Sequence, residues 1–247
     1  MRLITRFRGA ECEIYAGVPS SNDDFIAATH HTVEGARVDS AWDGIRIGGD
    51  NCHRNPGLCQ HKVTGSWVSN SRDDCIESDS MGGLGVSDNL LENCFAGISS
   101  VMDCTSCPDH SQGDEIVVHN TLLRLHAWPY GHVSAGSNSA YHIGPFKLGP
   151  KSPGVVVTDT IIAFDDYDQV SGVTQSNFAA WVTSWSKIKS CSNNYLLWMR
   201  DDPFPSQMPP PPACFTILTG QSARDFWAGA RYHWLTSHPN VARLPGE

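Results

Sequence analysis

The chain has 247 residues, 17 Lys+Arg against 26 Asp+Glu for a formal charge of −9, 40% hydrophobic and 17% charged residues. This apolar fraction supplies a core and excludes disorder as the main state; no segment nears the roughly 18 uninterrupted apolar residues of a membrane span. The acidic excess argues against binding to duplex nucleic acid, which requires a basic stripe.

From the N-terminus, Met1 to Arg8 are basic but lead into no apolar segment, so no signal peptide is visible. Nine cysteines nevertheless suit an oxidising compartment, and a secreted or periplasmic protein is the expectation. The first recognisable unit is Val33-Glu-Gly-Ala-Arg-Val38-Asp-Ser-Ala-Trp-Asp43-Gly-Ile45. Val63-Thr-Gly-Ser-Trp-Val68-Ser-Asn-Ser-Arg-Asp73-Asp-Cys75 repeats it without a gap, and Val86 to Ile98 follows in the same register. Looser copies begin at Val117, Val156 and Cys191. Each copy predicts a short strand, a polar Asn/Asp/Ser corner and a second short strand, and none shows apolar residues at helical spacing. Such units stack as an all-β parallel solenoid whose rungs lie about 4.8 Å apart.

Cysteines punctuate these units. Cys52 and Cys59 bracket a Pro/Gly loop and read as a disulfide; Cys75 aligns with Ile45 and Ile98, and Cys191 with Val86, as core positions. Cys104-Thr-Ser-Cys107 followed by His110 has metal-ligand spacing, yet no second Cys-x-x-Cys completes a zinc set, so a loop disulfide or free thiols is the expectation and no metal site is assigned. The proline-rich stretch after Asp202 ends the repeats. Beyond it, Ser222 reads as the N-cap of a helix carrying Phe226, Trp227, Ala230, Trp234 and Leu235 on one side and stopping before Pro239. The expected organisation is therefore a β-helix over 1–202 and a proline-rich and helical cap over 203–247.

Over roughly residues 25 to 200 this pattern resembles the right-handed parallel β-helix of the pectin-lyase-like superfamily. Trp42-Asp43-Gly44-Ile45-Arg46-Ile47 and Asp73-Asp74-Cys75-Ile76 resemble the aspartate segments of polygalacturonase-type glycoside hydrolases. The resemblance implies cleavage of an acidic polysaccharide in a groove along the solenoid, with acid and base roles on Asp43, Asp73 and Asp74. Where that family has a Gly-His-Gly segment, Asn93 to Ser99 contains no histidine, and its Arg-Ile-Lys segment is echoed only by Ser186-Lys187-Ile188-Lys189.

Asp43 and Asp73 hold the same repeat position one rung apart, so their backbones are expected about 4.8 Å apart. Side-chain divergence would open them toward the roughly 6.5–9.5 Å of inverting enzymes. Arg46 and Arg72 are candidates to grip a uronate carboxylate bidentately, with His61 and His53 as further binders. The same aspartates also read as corner residues accepting backbone N–H bonds, and Asp73, Asp74, Glu77 and Asp79 crowd closely enough to admit Ca²⁺. The alternatives to hydrolysis are therefore a non-catalytic glycan-binding or structural β-helix, or a polysaccharide lyase. Oligomeric state and substrate identity are not specified by the sequence.

Overall fold

The computed structural model describes residues 14–16, 32–41, 43–47, 60–78, 82–101, 109–129, 140–141, 144–164, 179–206 and 208–242. Among the described residues the chain passes in turn through three parallel sheets. The first contains Thr32–Glu34, Gln60–Thr64, Gly83–Ser87, Glu115–His119, Gly154–Thr158 and Ile188–Ser192. The second contains Arg37–Asp39, Trp67–Ser69, Leu90–Cys94, Leu122–Leu125, Ile161–Phe164, Asn194–Trp198 and Phe215–Thr219. The third contains Ile14–Ala16, Ile45–Ile47, Asp74–Glu77, Ala96–Ser100 and Gly144–Leu148. Equivalent strands of successive coils pair in parallel, so the architecture is mostly strand and consistent with a β-helix-like fold. Trp128–Pro129 and Ala140–Tyr141 form a small antiparallel pair on an insertion.

The corners explain the register. Val33, Val63, Val86, Val118, Val157 and Cys191 pair in one column of the first sheet. Two residues beyond each stands Gly35, Gly65, Asp88, Asn120, Asp159 or Asn193, with φ between 46° and 64°. Gly, Asn and Asp are the residues that tolerate this left-handed conformation. The repeat copies expected at Val117 and Val156 therefore begin one residue later. Val117-Val118 and Val155-Val156-Val157 offer identical side chains to either register, and the corner residue decides between them.

Behind the corners runs an interior polar ladder. The Asn89 amide donates to the Val63 carbonyl (2.9 Å) and accepts from the Ser66 N–H (3.0 Å). Asn194 repeats the arrangement with the Val157 carbonyl and the Thr160 N–H, both at 3.0 Å. Both asparagines are almost fully buried, so each satisfies two backbone groups that water does not reach. Asn89→Ala orphans both and should cost about 2–6 kcal/mol at roughly 1–3 kcal/mol per stranded group. The check is the urea midpoint; an unshifted midpoint would show the ladder to be energetically idle.

The interior is filled by Val, Ile and Leu in the early coils and by aromatic rings in the late ones, where Phe164 lies 5.3 Å from Trp181 and 5.0 Å from Trp198. Among the described residues, disulfides Cys75–Cys94 and Cys191–Cys214 link neighbouring coils. Cys75 is in the core, but its expected alignment is corrected: Ile76, not Cys75, pairs with Ile45 and Ile98. The Cys52/Cys59 and Cys104/Cys107 pairs lie outside the described residues.

Helix α1 (Ala179–Ser186) packs against Gly144–Leu148, and its Ser184 hydroxyl donates to the Phe146 carbonyl (2.7 Å), so the edge of the third sheet is covered. Helix α2 (Gly220–Ser237) starts after Thr219, three residues before the Ser222 expected as its cap. Its buried Trp227, Trp234 and Ala223 lie on Leu90, Leu122, Ala163 and Leu197 of the second sheet's outer face. At 1.5 Å per residue the helix is about 27 Å long, enough to cross five strands spaced about 4.8 Å. Arg224 donates to the Met199 carbonyl near one end and the Trp234 indole to the Asp88 carbonyl near the other. The helix thus lies across a face, while Phe204 and Met208 of the proline-rich stretch and Phe215 of the strand that follows join the core at the last coil.

Candidate functional site

The third sheet gathers the charged residues. Ile45, Ile76, Ile98 and Phe146 pair through its strands as an inward column, so the next residues, Arg46, Glu77, Ser99 and Lys147, form an outward one. Two residues before Ile45 and Ile76 stand Asp43 and Asp74. The residue matching Asp43 is therefore Asp74, not Asp73, because the corner before Asp74 is one residue longer in the second coil. The Gly44 N–H donates to the Asp74 carbonyl (2.9 Å) and the Asp74 N–H reaches Asp43 Oδ1 (3.4 Å). Asp43 thus combines the backbone-accepting corner role with membership of an acidic cluster.

Asp43, Asp73, Asp74 and Glu77 are all buried. Arg46 bridges two of them, with Nη1 3.7 Å from Asp43 Oδ2 and Nε 3.3 Å from Glu77 Oε2. Lys147 bridges the others, its Nζ 3.1 Å from Asp73 Oδ1 and 3.0 Å from Asp74 Oδ2. Lys147 comes from two strands away; Ala96, Gly97 and Ser99 on the strand between put nothing bulky in its path. Four acids thus meet two bases in a site of low solvent access.

That imbalance sets the protonation pattern. Burial pushes the Asp74 carboxyl well above the usual carboxylate range; Lys147 opposes the rise, and the neighbouring Asp73 and Asp43 charges add to it. For Lys147, burial alone would lower the ammonium, but Asp74 and Asp73 outweigh it and hold the lysine above its ordinary value. The cluster therefore sets an acid that burial makes weaker than usual beside other acids and a lysine, the arrangement that general acid–base chemistry uses.

The structure brings together Asp43, Asp73, Asp74 and Arg46. Arg72 is exposed in the adjoining corner, next to Asp73. His61 stands elsewhere, buried on the first sheet beside Leu84, and His53 and Asp79 lie outside the described residues. One carboxylate oxygen each of Asp43, Asp74 and Glu77 lies within 4.8 Å of the others. Lys187 and Lys189 also stand apart from the cluster. Lys187 donates to the Pro150 (2.7 Å) and Ser152 (3.0 Å) carbonyls, and Lys189 faces Glu115.

Sequence reasoning missed Lys147. Its strand follows an insertion after Leu125 that hides the third strand of the fourth coil, and no local pattern ties it to acids more than 70 residues earlier. Among the described residues no helix is long and apolar enough to cross a membrane. Comparison with protein-family models, curated proteins and solved structures finds no match for this chain.

Proposed function

We propose that this protein is a right-handed, pectin-lyase-like β-helix that hydrolyses an acidic polysaccharide at the Asp43/Asp73/Asp74 cluster. The observation that carries the reading is that Lys147 joins two acids of unequal burial, Asp73 with 10% side-chain exposure and Asp74 with 1%, and that burial holds the Asp74 carboxyl well above the usual carboxylate range. In this reading Asp74 gives its proton to the glycosidic oxygen as the C–O bond breaks. Asp73 takes a proton from the water that attacks the anomeric carbon, and Asp43 holds the Asp74 backbone in place. Arg46 and Arg72, both accessible at the site's margin, bind a uronate carboxylate. The disulfides Cys75–Cys94 and Cys191–Cys214 support an oxidising, secreted or periplasmic setting.

A second reading rests on the three carboxylate oxygens within 4.8 Å. In it, Asp43, Asp74 and Glu77 hold a hard cation such as Ca²⁺ in a β-helix that binds glycan without cleaving it. Incubation with acidic and neutral polysaccharides, with and without Ca²⁺, separates the two. Hydrolysis gives new reducing ends on acidic substrates alone, reduced at least about 100-fold in Asp74→Asn. Ultraviolet-absorbing unsaturated ends would turn the reading to a lyase, and no product from any substrate would favour the cation-binding scaffold.

A further inference from the structure

The second sheet carries a groove that the acid cluster does not use. It lies between α2 and the sheet's outer face and has a volume of about 570 Å³. Arg37, Arg124 and Arg231 contribute three guanidiniums against the carboxylates of Asp39 and Glu92, a net positive lining on a chain of charge −9. Its floor is pre-ordered: Asn93 donates to Asn70 Oδ1 (2.9 Å) and Asn70 to Asp39 Oδ1 (2.7 Å), so three planar polar groups step along successive coils. Arg231 is fixed against Glu92 by bonds of 2.6 and 3.2 Å. On the helix side Tyr232 leaves its ring 65% exposed at the rim.

We infer that this groove is a non-catalytic binding site for an anionic polysaccharide chain. Planar guanidiniums match carboxylates, and amides supply both donors and acceptors for sugar hydroxyls. The coil-to-coil step of about 4.8 Å is comparable to one sugar ring, and an exposed phenol ring offers an apolar face to C–H groups. Asn70 stands in the corner that leads into Asp73 and Asp74. The ligand class rests on the proposed function; the groove and its chemistry do not.

The test is retardation of the full-length protein in gels containing polygalacturonate, with its methyl-esterified form as the uncharged control. Ala228→Trp fills the groove from an exposed helix position, and Tyr232→Ala removes the rim ring; neither disturbs a core contact. Both should weaken binding to polygalacturonate at least fivefold and leave cleavage of short fragments unchanged, and Asp74→Asn should bind as the wild type does. Added salt should weaken the wild-type interaction. Wild-type retardation in both groove variants, or equal retardation by the esterified polymer, would overturn the inference. Because binding is read directly, a protein that cleaves nothing still answers the question.

Discussion

Lys147→Met should lower the stability of the fold by about 3–5 kcal/mol at neutral pH, the usual cost of removing one partner from a buried ionic group. Lys147 is the ammonium within 3.1 Å of both Asp73 and Asp74, and Arg46 is committed to Asp43 and Glu77. Methionine replaces the length of the side chain but removes the ammonium that both Asp73 and Asp74 contact. Adding Asp73→Asn to Lys147→Met should restore much of the difference. Denaturant unfolding of the single and double variants measures this coupling. A single variant as stable as the wild type would show that the Lys147 contacts contribute nothing.

Asp74→Asn separates the chemistry from the fold. Asparagine keeps the shape of a neutral Asp74 and lacks a transferable proton, so cleavage should fall by about 100-fold or more in a protein that remains folded. The stability of the variant should depend on pH in a defined direction. The folded wild type retains a proton on Asp74 that the unfolded chain releases once pH passes the ordinary carboxylate range. Unfolding then releases a proton, and wild-type stability declines as pH rises from that ordinary value toward the raised one. Asp74→Asn lacks this decline, so its melting temperature should gain on the wild type from acid to neutral pH. Parallel pH dependences would place Asp74 in the ordinary range and remove the basis for its acid role.

Much of the architecture was legible because corners and core columns are written locally. Gly35, Gly65 and Asp88 sit two residues beyond aligned valines, and that spacing alone gives the parallel stack. Runs of identical valines blurred the register at Val117 and Val156. The one-residue lengthening before Asp74 was invisible because an aspartate occupies both Asp73 and Asp74, so the gapless alignment matched Asp43 to the wrong one. The acid cluster was legible as a group, since Asp43, Asp73, Asp74, Glu77 and Arg46 lie in two adjacent coils. Lys147 and the α2 groove were not: each depends on partners more than 70 residues away, such as Arg231 on Glu92, and long-range pairing leaves no periodic trace in the chain. The cysteines show the same limit, because Cys75 and Cys191 read as core positions, and their disulfide partners Cys94 and Cys214 emerge only when the coils are stacked.

The most direct test is to observe the Asp74 proton itself, by a carboxyl-resolved NMR or isotope-edited infrared titration of the folded protein with Asp74→Asn as the assignment control. One aspartate signal, absent in the variant, should remain protonated at a pH where ordinary carboxylates are fully ionised. If every aspartate ionises in the ordinary range and the variant's titration matches the wild type's, Asp74 is no general acid and the cluster is a structural ionic network.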